Sequence, residues 1–379
     1  MSSELFETNP GIEEKPFNVA YVDDIFGDKD EITAEMVRGA ARGANKPRMM
    51  LIADNNFVQN NPQIGSTIGR YLKRNNIQLL GLPVTTKRSN VKEQRSDPLQ
   101  LALSLAKSMF DVHLTAYDAL MILGGGAIMD IASFAASSIY RGVRNIVRVP
   151  TTLVSMVECS CSTEVSIDTP NIRKAYTTTS IPYATIVSAG LNKTAFDGVW
   201  KGGGATMMRF AAVRDAEFMR KLMKEGHYIK ERNEEKTAKL LHKFLALRTR
   251  MSDTSFAQWC ADKLWTLSGG KIPHGYGCAI SICIECAYAV SQGVLSAKDQ
   301  EAICRAVADV GALDGLVYSN HVLSQTDAIL AGIDEWIMLR GSTARSVPAG
   351  IGVEKTIVSM DKLIYEKIIK DFILAYTGS

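Results

Sequence analysis

Three consecutive glycines in the middle of the chain most constrain its fold. Gly124, Gly125 and Gly126 follow an apolar run at residues 119–123, which has the length of a buried parallel strand. After the glycines, apolar residues recur at helical spacing over residues 128–139. A strand, a glycine turn and a helix together aim backbone N–H groups and a helix N-terminus at a phosphate, although the Gly-x-Gly-x-x-Gly fingerprint is absent. The turn by itself therefore indicates either a cofactor site or a plain tight turn.

Two further predicted strands end beside this turn. An apolar run at residues 48–53 ends at Asp54, and a β-branched run at residues 143–149 ends at Pro150 and Thr151. Ligands of open α/β folds bind at the carboxyl edge of the parallel sheet, where such strand ends meet. The polar residues after these strands are therefore candidates for the same binding site as the glycine turn.

The order of the apolar patterns predicts two domains. Up to about residue 190, apolar strands alternate with amphipathic helices, which predicts a parallel sheet covered on both faces. From Thr194 onward the apolar periodicity is helical, and no strand run returns. We predict a Rossmann-like α/β dinucleotide-binding domain at residues 1–190 and an all-α domain at residues 191–379.

Charge, hydropathy and cysteine usage exclude several function classes. The formal net charge is only +3 and no long basic run occurs, so nothing indicates nucleic-acid binding. No apolar stretch reaches the roughly 18 residues that a membrane span needs, and the polar, acidic start of the chain has no signal-peptide pattern. Seven cysteines without paired spacing are typical of reduced core residues. We expect a cytoplasmic protein whose partner is a small-molecule substrate rather than a nucleic acid or a membrane.

Three motifs in the first predicted domain resemble the 3-dehydroquinate synthase superfamily, the sugar phosphate cyclases. They read GGGAIMD at residues 124–130, FAASSIYRG at residues 134–142 and VRVPTTL at residues 147–153. The segment RDAEF at residues 214–218 is most similar to the branch of 2-epi-5-epi-valiolone synthases. The resemblance covers most of the chain. It implies a dehydroquinate synthase-like fold and a homodimer.

The resemblance also implies that NAD binds against the glycine turn. The positions that match the family's cofactor site are Asp54, Asn56, Gly124, Gly125, Gly126, Asp130, Thr151 and Thr152, with Lys92 as a pyrophosphate contact. The carboxylate of Asp54 can accept hydrogen bonds from ribose hydroxyls and repels a 2′-phosphate, which favours NAD over NADP. The alternative for Asp54 and the two asparagines after it is a helix cap or a turn that holds no ligand.

The positions that match the family's metal site have changed. The family holds a zinc-type ion with one glutamate and two histidines, and the matching residues here are Thr206, Gln258 and His274. Threonine and glutamine offer neither an imidazole nor a carboxylate, and one histidine cannot hold the ion. We therefore predict that this protein has no metal. A metal site rebuilt at new positions, from Glu158, Glu164 or Asp262 together with His274, is the alternative.

The charged residues of the predicted substrate site also depart from the family. Glu164 stands where relatives carry a lysine that faces phosphate, so it would repel a sugar phosphate. Arg173 and Lys174 restore positive charge and are predicted to bind the substrate. Arg209 replaces a family lysine, and its planar guanidinium suits a carboxylate or a phosphate. The candidate catalytic residues are His274, Glu158, Glu164, Asp262 and Arg209. For His274 the alternative is a helix-capping or packed histidine.

Three functions compete at this point. The first is a conventional sugar phosphate cyclase, which needs NAD and a metal to form a carbocycle with loss of phosphate. The second is a diverged enzyme of secondary metabolism that acts without metal on a polyol, a cyclitol or a related small molecule, by transient hydride transfer and acid/base chemistry. The third is a non-catalytic homologue that acts as a partner protein. The retained cofactor motifs and the changed metal positions favour the second.

Overall fold

The chain divides into two compact units. The structure, a computed structural model, describes residues 4–7, 17–42, 45–80, 84–86, 97–141, 143, 145–314, 316 and 320–377. One unit, here the α/β unit, comprises Met1–Thr169, Lys174–Ala195 and Leu241–Ser252. The other, here the helical unit, comprises Pro170–Arg173, Phe196–Leu240 and Asp253–Ser379. The sequence predicts instead a single cut after residue 190.

The α/β unit is built on an eight-stranded sheet and a separate hairpin. Its strands are β1 (Glu4–Glu7), β2 (Asn18–Tyr21), β3 (Arg48–Asp54), β4 (Gln78–Leu79), β5 (Val84–Thr86), β6 (Ala119–Gly124), β7 (Ile146–Pro150), β8 (Glu164–Ile167), β9 (Tyr176–Thr179) and β10 (Ala184–Val187). The sheet order is β1-β2-β10-β7-β6-β3-β4, and β5 also pairs with β3. β1 runs antiparallel to β2, and the other described pairs of this sheet are parallel. β8 and β9 form the antiparallel hairpin.

Helices cover both faces of this sheet. They are α1 (Ile32–Ala40), α2 (Asn55–Asn60), α3 (Ile64–Arg74), α4 (Pro98–Asp111), α5 (Gly126–Phe134), which a π-helical turn (Ala135–Ile139) continues, α6 (Leu153–Glu158) and a 3-10 helix (Ala189–Asn192). In β3, Met49 and Leu51 face one core layer, whereas Met50 and Ile52 face the other. Successive side chains of a strand point to opposite faces, so two apolar layers form. The predicted parallel sheet with two covered faces is confirmed.

The helical unit contains the remaining helices and one small hairpin. The helices are α7 (Asp197–Arg214), α8 (Ala216–Glu225), α9 (His227–Lys230), α10 (Glu234–Arg248), α11 (Trp259–Leu267), α12 (His274–Ser291), α13 (Ala297–Asp309), α14 (Asn320–Leu323), α15 (Thr326–Arg340) and α16 (Lys362–Thr377). From Leu241 onward, α10 groups with the α/β unit. No helix in the described part of the chain has the length and apolar character that crossing a membrane requires.

Two glycines let α7 and α12 cross at very short distance. A Cβ atom added at Gly275 would lie 2.2 Å from the Cα atom of Gly202, and one added at Gly202 would lie 2.9 Å from the Cα atom of Gly275. Only glycine permits this approach, because it has no side chain between the two backbones. The crossing therefore fixes the first turn of α12, and with it His274, against α7.

The prediction that no strand follows residue 194 is wrong. A two-stranded antiparallel hairpin, β11 (Arg345–Gly350) and β12 (Val353–Ile357), lies in the helical unit. Its register shifts between Pro348 and Gly350, and β12 is mostly polar, so it shows no apolar alternation. Gly352 has a φ of +74°, and a Cβ there would lie 2.1 Å from the backbone nitrogen of Ala216. The turn therefore depends on a tertiary contact that local periodicity does not reveal.

A buried ionic network stabilises the middle of α12. Glu285 and Arg345 are both almost fully buried, and Arg345 Nε lies 3.1 Å from Glu285 Oε2. Trp259 Nε1 and the Tyr365 hydroxyl also donate to Glu285, the latter at 2.8 Å. Burial acts to lower the pKa of Arg345, but Glu285 and the neighbouring Tyr365 and Tyr288 together outweigh it and raise that pKa. The core of the helical unit thus contains a fully buried ion pair with several hydrogen-bond partners.

Candidate functional site

Three central strands of the α/β unit end side by side. β3, β6 and β7 are neighbours in the sheet and end at Asp54, Gly124 and Pro150. The chain then turns so that the backbone nitrogen of Thr151 donates to the carbonyl oxygen of Gly124 at 2.9 Å. The structure therefore brings the acidic residue, the glycine turn and the threonine pair to one edge of the sheet. Parallel open sheets bind ligands at this edge.

Gly124 is required by packing within the protein. A Cβ atom at this position would lie 2.1 Å from Cγ2 of Ile128 and 2.9 Å from Cβ of Asp54. The first turn of α5 therefore packs directly onto the end of β6. This glycine explains how the helix starts so close to the strand.

Gly125 and Gly126 have a different environment. A Cβ atom at Gly125 would make only ordinary contact, 3.5 Å from Cγ2 of Thr152, and one at Gly126 would lie 3.6 Å from the sulfur of Cys159. α5 begins at Gly126, and Gly125 is its N-cap, without a side chain that could bond to the free N–H groups. These backbone donors, together with the helix N-terminus, form an arrangement that suits a phosphate group.

Asp54 caps a helix in this structure. Its Oδ1 atom accepts hydrogen bonds from the backbone nitrogens of Asn56 at 2.8 Å and Phe57 at 3.4 Å, which makes it the N-cap of α2. The helix-cap alternative therefore describes one role of this residue. Both bonds use Oδ1, so Oδ2 can still accept from a ribose hydroxyl. Asn56 lies in the first turn of α2 and is half-buried, whereas Lys92 lies outside the described residues.

The remaining predicted cofactor residues line the starts of α5 and α6. Thr151 is buried, and Thr152 caps α6 in a reciprocal capping box with Ser155. Asp130 lies on the second turn of α5. Burial raises the pKa of the Cys159 thiol, and the charges of Asp130 and Glu158 add to this effect. The sulfur beside Gly126 is therefore a neutral thiol.

The predicted substrate residues Glu164 and Lys174 lie on the β8–β9 hairpin of the α/β unit. Lys174 Nζ lies 3.4 Å from Glu164 Oε1, and both side chains are partly exposed. The backbone nitrogen of Lys174 donates to Asp168 Oδ1 at 2.8 Å, which holds the residue at a positive φ of 56°. The repulsive charge expected of Glu164 is therefore balanced by its neighbour. Glu158 ends α6 in the same unit.

In the helical unit, Arg173, Asp262, Trp265 and His274 form one cluster, here the arginine–histidine cluster. Arg173 Nη1 lies 2.5 Å from Nδ1 of His274 and 3.1 Å from Oδ1 of Asp262. Its guanidinium carbon lies 5.3 Å from the ring centroid of Trp265, in cation–π distance. Asp262 and Trp265 are three residues apart on α11, so they share one face of that helix. Three of the predicted site residues are thus in direct contact.

These contacts determine which ring nitrogen of His274 can carry a proton. A guanidinium has only donors, so Nδ1 of His274 must be the acceptor in the contact with Arg173. The neutral ring then has its proton on Nε2, which lies 3.4 Å from the sulfur of Cys278, one helical turn further along α12. His274 can therefore supply a proton from Nε2 to a bound molecule.

The two substituted positions of the family's metal site have structural partners. The Thr206 side chain is fully buried on α7, and its hydroxyl donates to the carbonyl oxygen of Gly203 in the same helix at 2.9 Å. Oε1 of Gln258 accepts from Nη2 of Arg340 at 3.1 Å. Arg209 Nη1 donates to the carbonyl oxygen of Thr254 at 3.0 Å, so this buried guanidinium holds the loop before α11. A catalytic role of Arg209 stays a prediction.

The sequence analysis did not single out Cys278 or Trp265 as a site residue. Cys278 follows His274 at the i,i+4 spacing of one helix face, and this signal could have found it. Trp265 and Arg340 contact site residues that are distant in sequence or on another element. No local pattern reports such contacts.

Comparison with known proteins shows which family the chain is similar to. The family model described as 3-dehydroquinate synthase N-terminal matches residues 89–196. Demethyl-4-deoxygadusol synthase from Trichormus variabilis is 22% identical over 364 residues, which cover 90% of this chain and 84% of that protein. These matches confirm the resemblance to the sugar phosphate cyclase superfamily. A 3-dehydroquinate synthase from Enterococcus faecalis is 30% identical over 129 residues, but these cover only 34% of this chain and 36% of that enzyme.

Solved structures of this superfamily share the fold. The 2-epi-5-epi-valiolone synthase ValA from Streptomyces hygroscopicus, solved with NAD⁺ and Zn²⁺ bound, superimposes with a TM-score of 0.79 at 14% identity and covers 96% of this chain and 98% of its own. A 2-deoxy-scyllo-inosose synthase, solved with carbaglucose-6-phosphate, NAD⁺ and Co²⁺, has a TM-score of 0.73 at 13% identity and covers 97% of this chain and 99% of its own. The predicted dehydroquinate synthase-like fold is confirmed.

The family-model match stops where the helical unit resumes. Its 108 residues contain the glycine turn and the threonine pair and end at Phe196, the first residue of the long second segment of the helical unit. In this sugar phosphate cyclase-like protein, the clearest family signal therefore lies in the α/β unit. The three positions that the resemblance assigns to the family's metal site, Thr206, Gln258 and His274, lie beyond it.

Proposed function

We propose that this protein is an NAD-binding enzyme that acts on a polyol, a cyclitol or a related small molecule without a metal ion. Its similarity to the superfamily supports a carbon–oxygen lyase or cyclase kind of enzyme. The observation that carries the proposal is the guanidinium of Arg173 beside His274, the one family metal ligand that remains. The reaction would combine transient hydride transfer with acid/base chemistry. The homodimer expected from the resemblance stays a prediction.

The α/β unit fits NAD. Gly125 and Gly126 leave the start of α5 free of side chains, and a Cβ atom there would occupy the space beside Thr152 and Cys159. Oδ2 of Asp54 can accept from the ribose, and the helix N-terminus can face the pyrophosphate. When bound, NAD supplies reversible hydride acceptance. The residues of this unit bind and orient it.

The family's metal positions do not fit a zinc-type ion. The hydroxyl of Thr206 and the amide oxygen of Gln258 already have protein partners, and neither is a usual zinc ligand. Nδ1 of His274 accepts from a cation, and that cation would repel a divalent ion at the same nitrogen. No step of the proposed reaction therefore involves a metal.

The arginine–histidine cluster supplies groups for substrate binding and proton transfer. Asp262 and Trp265 hold the guanidinium of Arg173, which can bind a carboxylate, a phosphate or a hydroxyl oxygen. Nε2 of His274 can donate a proton to a leaving oxygen and take one back. Asp262 is thus assigned as a positioning residue.

Cofactor binding can be tested with a matched pair of glycine variants. Gly125→Ala places a methyl group at the proposed pyrophosphate contact, and we expect the Kd of NAD, measured by calorimetry, to rise at least about tenfold. Gly69→Ala on α3 is the control, because a Cβ atom there has nothing within 4 Å. Equal NAD affinity in both variants and the wild type would refute the cofactor assignment.

The first experiment measures the metal content of untagged protein that has been purified without chelator and then incubated with zinc and cobalt. We expect far less than one equivalent per chain, together with NAD binding and His274-dependent turnover of a polyol or cyclitol. Near-stoichiometric metal that disappears in His274→Ala would overturn the metal-free proposal.

One observation favours a metal-dependent cyclase as the second candidate. Nε2 of His274 and the sulfur of Cys278 lie 3.4 Å apart, and zinc commonly uses this ligand pair. In that case, stoichiometric zinc should be lost in Cys278→Ser as well as in His274→Ala. Turnover of a sugar phosphate with release of phosphate would then support the metal-dependent cyclase.

A further inference from the structure

Arg148 is a fully buried arginine of the α/β unit. It lies on β7, and only 1% of its surface is exposed. In the described structure its guanidinium donates to one serine hydroxyl and two backbone carbonyls, and none of these partners is a carboxylate. Burying a charge without a counter-charge is costly, and an apolar side chain of similar size often serves stability equally well. The contacts of Arg148 therefore indicate why a charged residue stands here.

The guanidinium of Arg148 binds both ends of one chain segment. Its Nη1 donates to the carbonyl oxygen of Ser162 at 2.6 Å, and its Nη2 donates to the carbonyl oxygen of Ser180 at 2.9 Å. Its Nε lies 3.3 Å from the hydroxyl oxygen of Ser133 on α5. Ser162 lies two residues before β8, and Ser180 directly follows β9. A single side chain thus joins the start and the end of the β8–β9 hairpin to the sheet and to α5.

The β8–β9 hairpin depends on its base for stability. Three of the four residues of β9 are exposed, whereas Val165 and Ile167 of β8 are buried. A two-stranded hairpin by itself is at best marginally stable in water. At the base, the backbone nitrogen of Ser180 donates to the carbonyl oxygen of Thr163 at 2.7 Å. Arg148 therefore binds next to the last rung of the hairpin, where the two strands separate.

The same hairpin carries two of the predicted site residues. Glu164 is the first residue of β8, and Lys174 lies in the loop that leads to β9. Lys174 Nζ lies 3.4 Å from Glu164 Oε1, and the backbone nitrogen of Lys174 donates to Asp168 Oδ1 at 2.8 Å. These bonds connect the loop to the strands of its own hairpin. The position of the two charged groups relative to the sheet therefore depends on how the base of the hairpin is held.

We propose that Arg148 is a positioning residue of the candidate site, which holds both ends of the β8–β9 hairpin and thereby fixes where Lys174 and Glu164 meet the substrate. The inference rests on the proposed function and on the prediction that Lys174 binds its substrate. Arginine suits this task because its planar fork of donors reaches two carbonyl oxygens at once. A lysine has one nitrogen, and an apolar residue would leave both buried carbonyls without a donor.

Native digestion with trypsin tests how firmly the hairpin is held. Trypsin cleaves after arginine and lysine, and Arg173 and Lys174 both lie between β8 and β9. We expect Arg148→Met to be cut after these two residues at least about tenfold faster than the wild type, because local opening exposes the loop. Mass spectrometry of the fragments gives the rate at each cleavage site. Other sites should be cut at the wild-type rate.

Two further variants separate the geometry of the guanidinium from its charge. Arg148→Lys keeps the charge but not the fork, so its hairpin should be cut nearly as fast as that of Arg148→Met. Ser133→Ala is the matched control, because it removes only the bond to α5 and leaves both hairpin carbonyls bound. An Arg148→Met hairpin that is cut no faster than the wild type, or a rise of equal size at every site, would overturn the proposal.

Hydrogen exchange on the wild type decides even where a variant fails to fold. The backbone amide of Ser180 bonds to Thr163 beside the carbonyls that Arg148 holds, so it should exchange at least about a hundredfold more slowly than an unstructured peptide. Exchange of this amide at the unstructured rate would show that the base of the hairpin is not held, and the proposal would be wrong.

Steady-state kinetics test the positioning role, with sorbitol as the polyol probe and myo-inositol as the cyclitol probe at saturating NAD. Arg148→Met should raise KM at least about tenfold and keep kcat within about threefold, because it displaces a binding group and not the proton donor His274. An unchanged KM in a variant with a loosened hairpin would mean that Arg148 is only structural. If the wild type turns over neither probe, the proposed function fails, whereas the digestion still decides whether Arg148 holds the hairpin.

Discussion

The two units present their candidate functional groups in different ways. In the α/β unit, the glycine turn exposes backbone N–H groups because side chains are absent, and Gly124 fits only as glycine. In the helical unit, the arginine–histidine cluster consists of side chains from a loop and two helices, held by an ion pair and a cation–π contact. The core layer that packs against α5 is apolar, whereas the helical unit also contains a buried ion pair between Glu285 of α12 and Arg345 of β11.

This difference explains why the candidate site of the α/β unit resembles the family more than the cluster of the helical unit does. A backbone site needs only a fixed chain path, which a short run of glycines specifies. A side-chain site can change its ligands one at a time, because each residue only needs a new partner in the same fold. Thr206 and Gln258 both have such partners.

The largest expected effect concerns the ionic network of the helical unit. Glu285→Gln leaves the buried guanidinium of Arg345 without its counter-charge, and we expect the free energy of unfolding, measured in urea, to fall by about 3–5 kcal/mol. The double variant Glu285→Gln/Arg345→Met should recover a part of this loss. If the double variant is as unstable as Glu285→Gln alone, the loss comes from disturbed packing rather than from an unpaired charge. The ion pair would then not distinguish the two cores.

Alanine variants of the glycine turn should distinguish a glycine that is needed for packing from one that is needed for ligand binding. Gly124→Ala forces a methyl group against Ile128, and we expect a loss of about 3 kcal/mol in the free energy of unfolding. Gly125→Ala replaces only an N-cap glycine without a clash, so its cost should not exceed about 1 kcal/mol. Thermal and urea unfolding measure both. Equal losses would contradict the assignment of Gly124 to packing and Gly125 to the ligand.

Asp118 lies before the start of β6, at the opposite edge of the sheet from the glycine turn, and its contribution to stability can be tested by changing the pH. Burial acts to raise the pKa of Asp118, but hydrogen bonds from Arg48 and Thr115 outweigh it and lower that pKa. Its stabilising effect is therefore complete above the ordinary carboxyl pKa of about 4 and is lost as the pH falls through the lowered value. Asp118→Asn should cost about 2 kcal/mol at pH 7, and the gap to wild type should narrow below about pH 4.

Asp118→Asn also tests whether NAD binding at the glycine turn depends on the other end of β6. Asp118 precedes the first residue of β6, and Gly124 is the last residue of that strand. We expect Asp118→Asn to bind NAD with wild-type affinity at pH 7 under conditions where it is fully folded. A changed NAD affinity would show that the turn depends on more than its local backbone.

The smallest expected effect is at a family metal position. Thr206→Val removes one hydroxyl whose hydrogen bond lies within its own helix, so the loss should be about 1 kcal/mol or less. Zinc content and NAD affinity should stay the same, and Thr206→Ser should behave like the wild type. A loss of bound metal in Thr206→Val would identify Thr206 as a metal ligand. It would contradict the proposal that this substituted position binds no metal.

The sequence could predict the parts of the fold that local patterns encode. The apolar runs of β3, β6 and β7 and the glycines after β6 identified the parallel sheet, because burial on both faces leaves continuous apolar runs. The β11–β12 hairpin was missed, since its turn depends on contact between Gly352 and Ala216. Its strands carry too few apolar residues to show a period of two.

What the sequence by itself determined is the identity of the residues at the site and the chain path through the glycine turn. The tertiary structure decided which of these residues meet. Arg173 and Lys174 are adjacent in sequence, yet Arg173 contacts His274 while Lys174 pairs with Glu164. Contacts between distant residues depend on packing, and a hydrogen bond or an ion pair forms only where folding brings its two partners within a few ångströms.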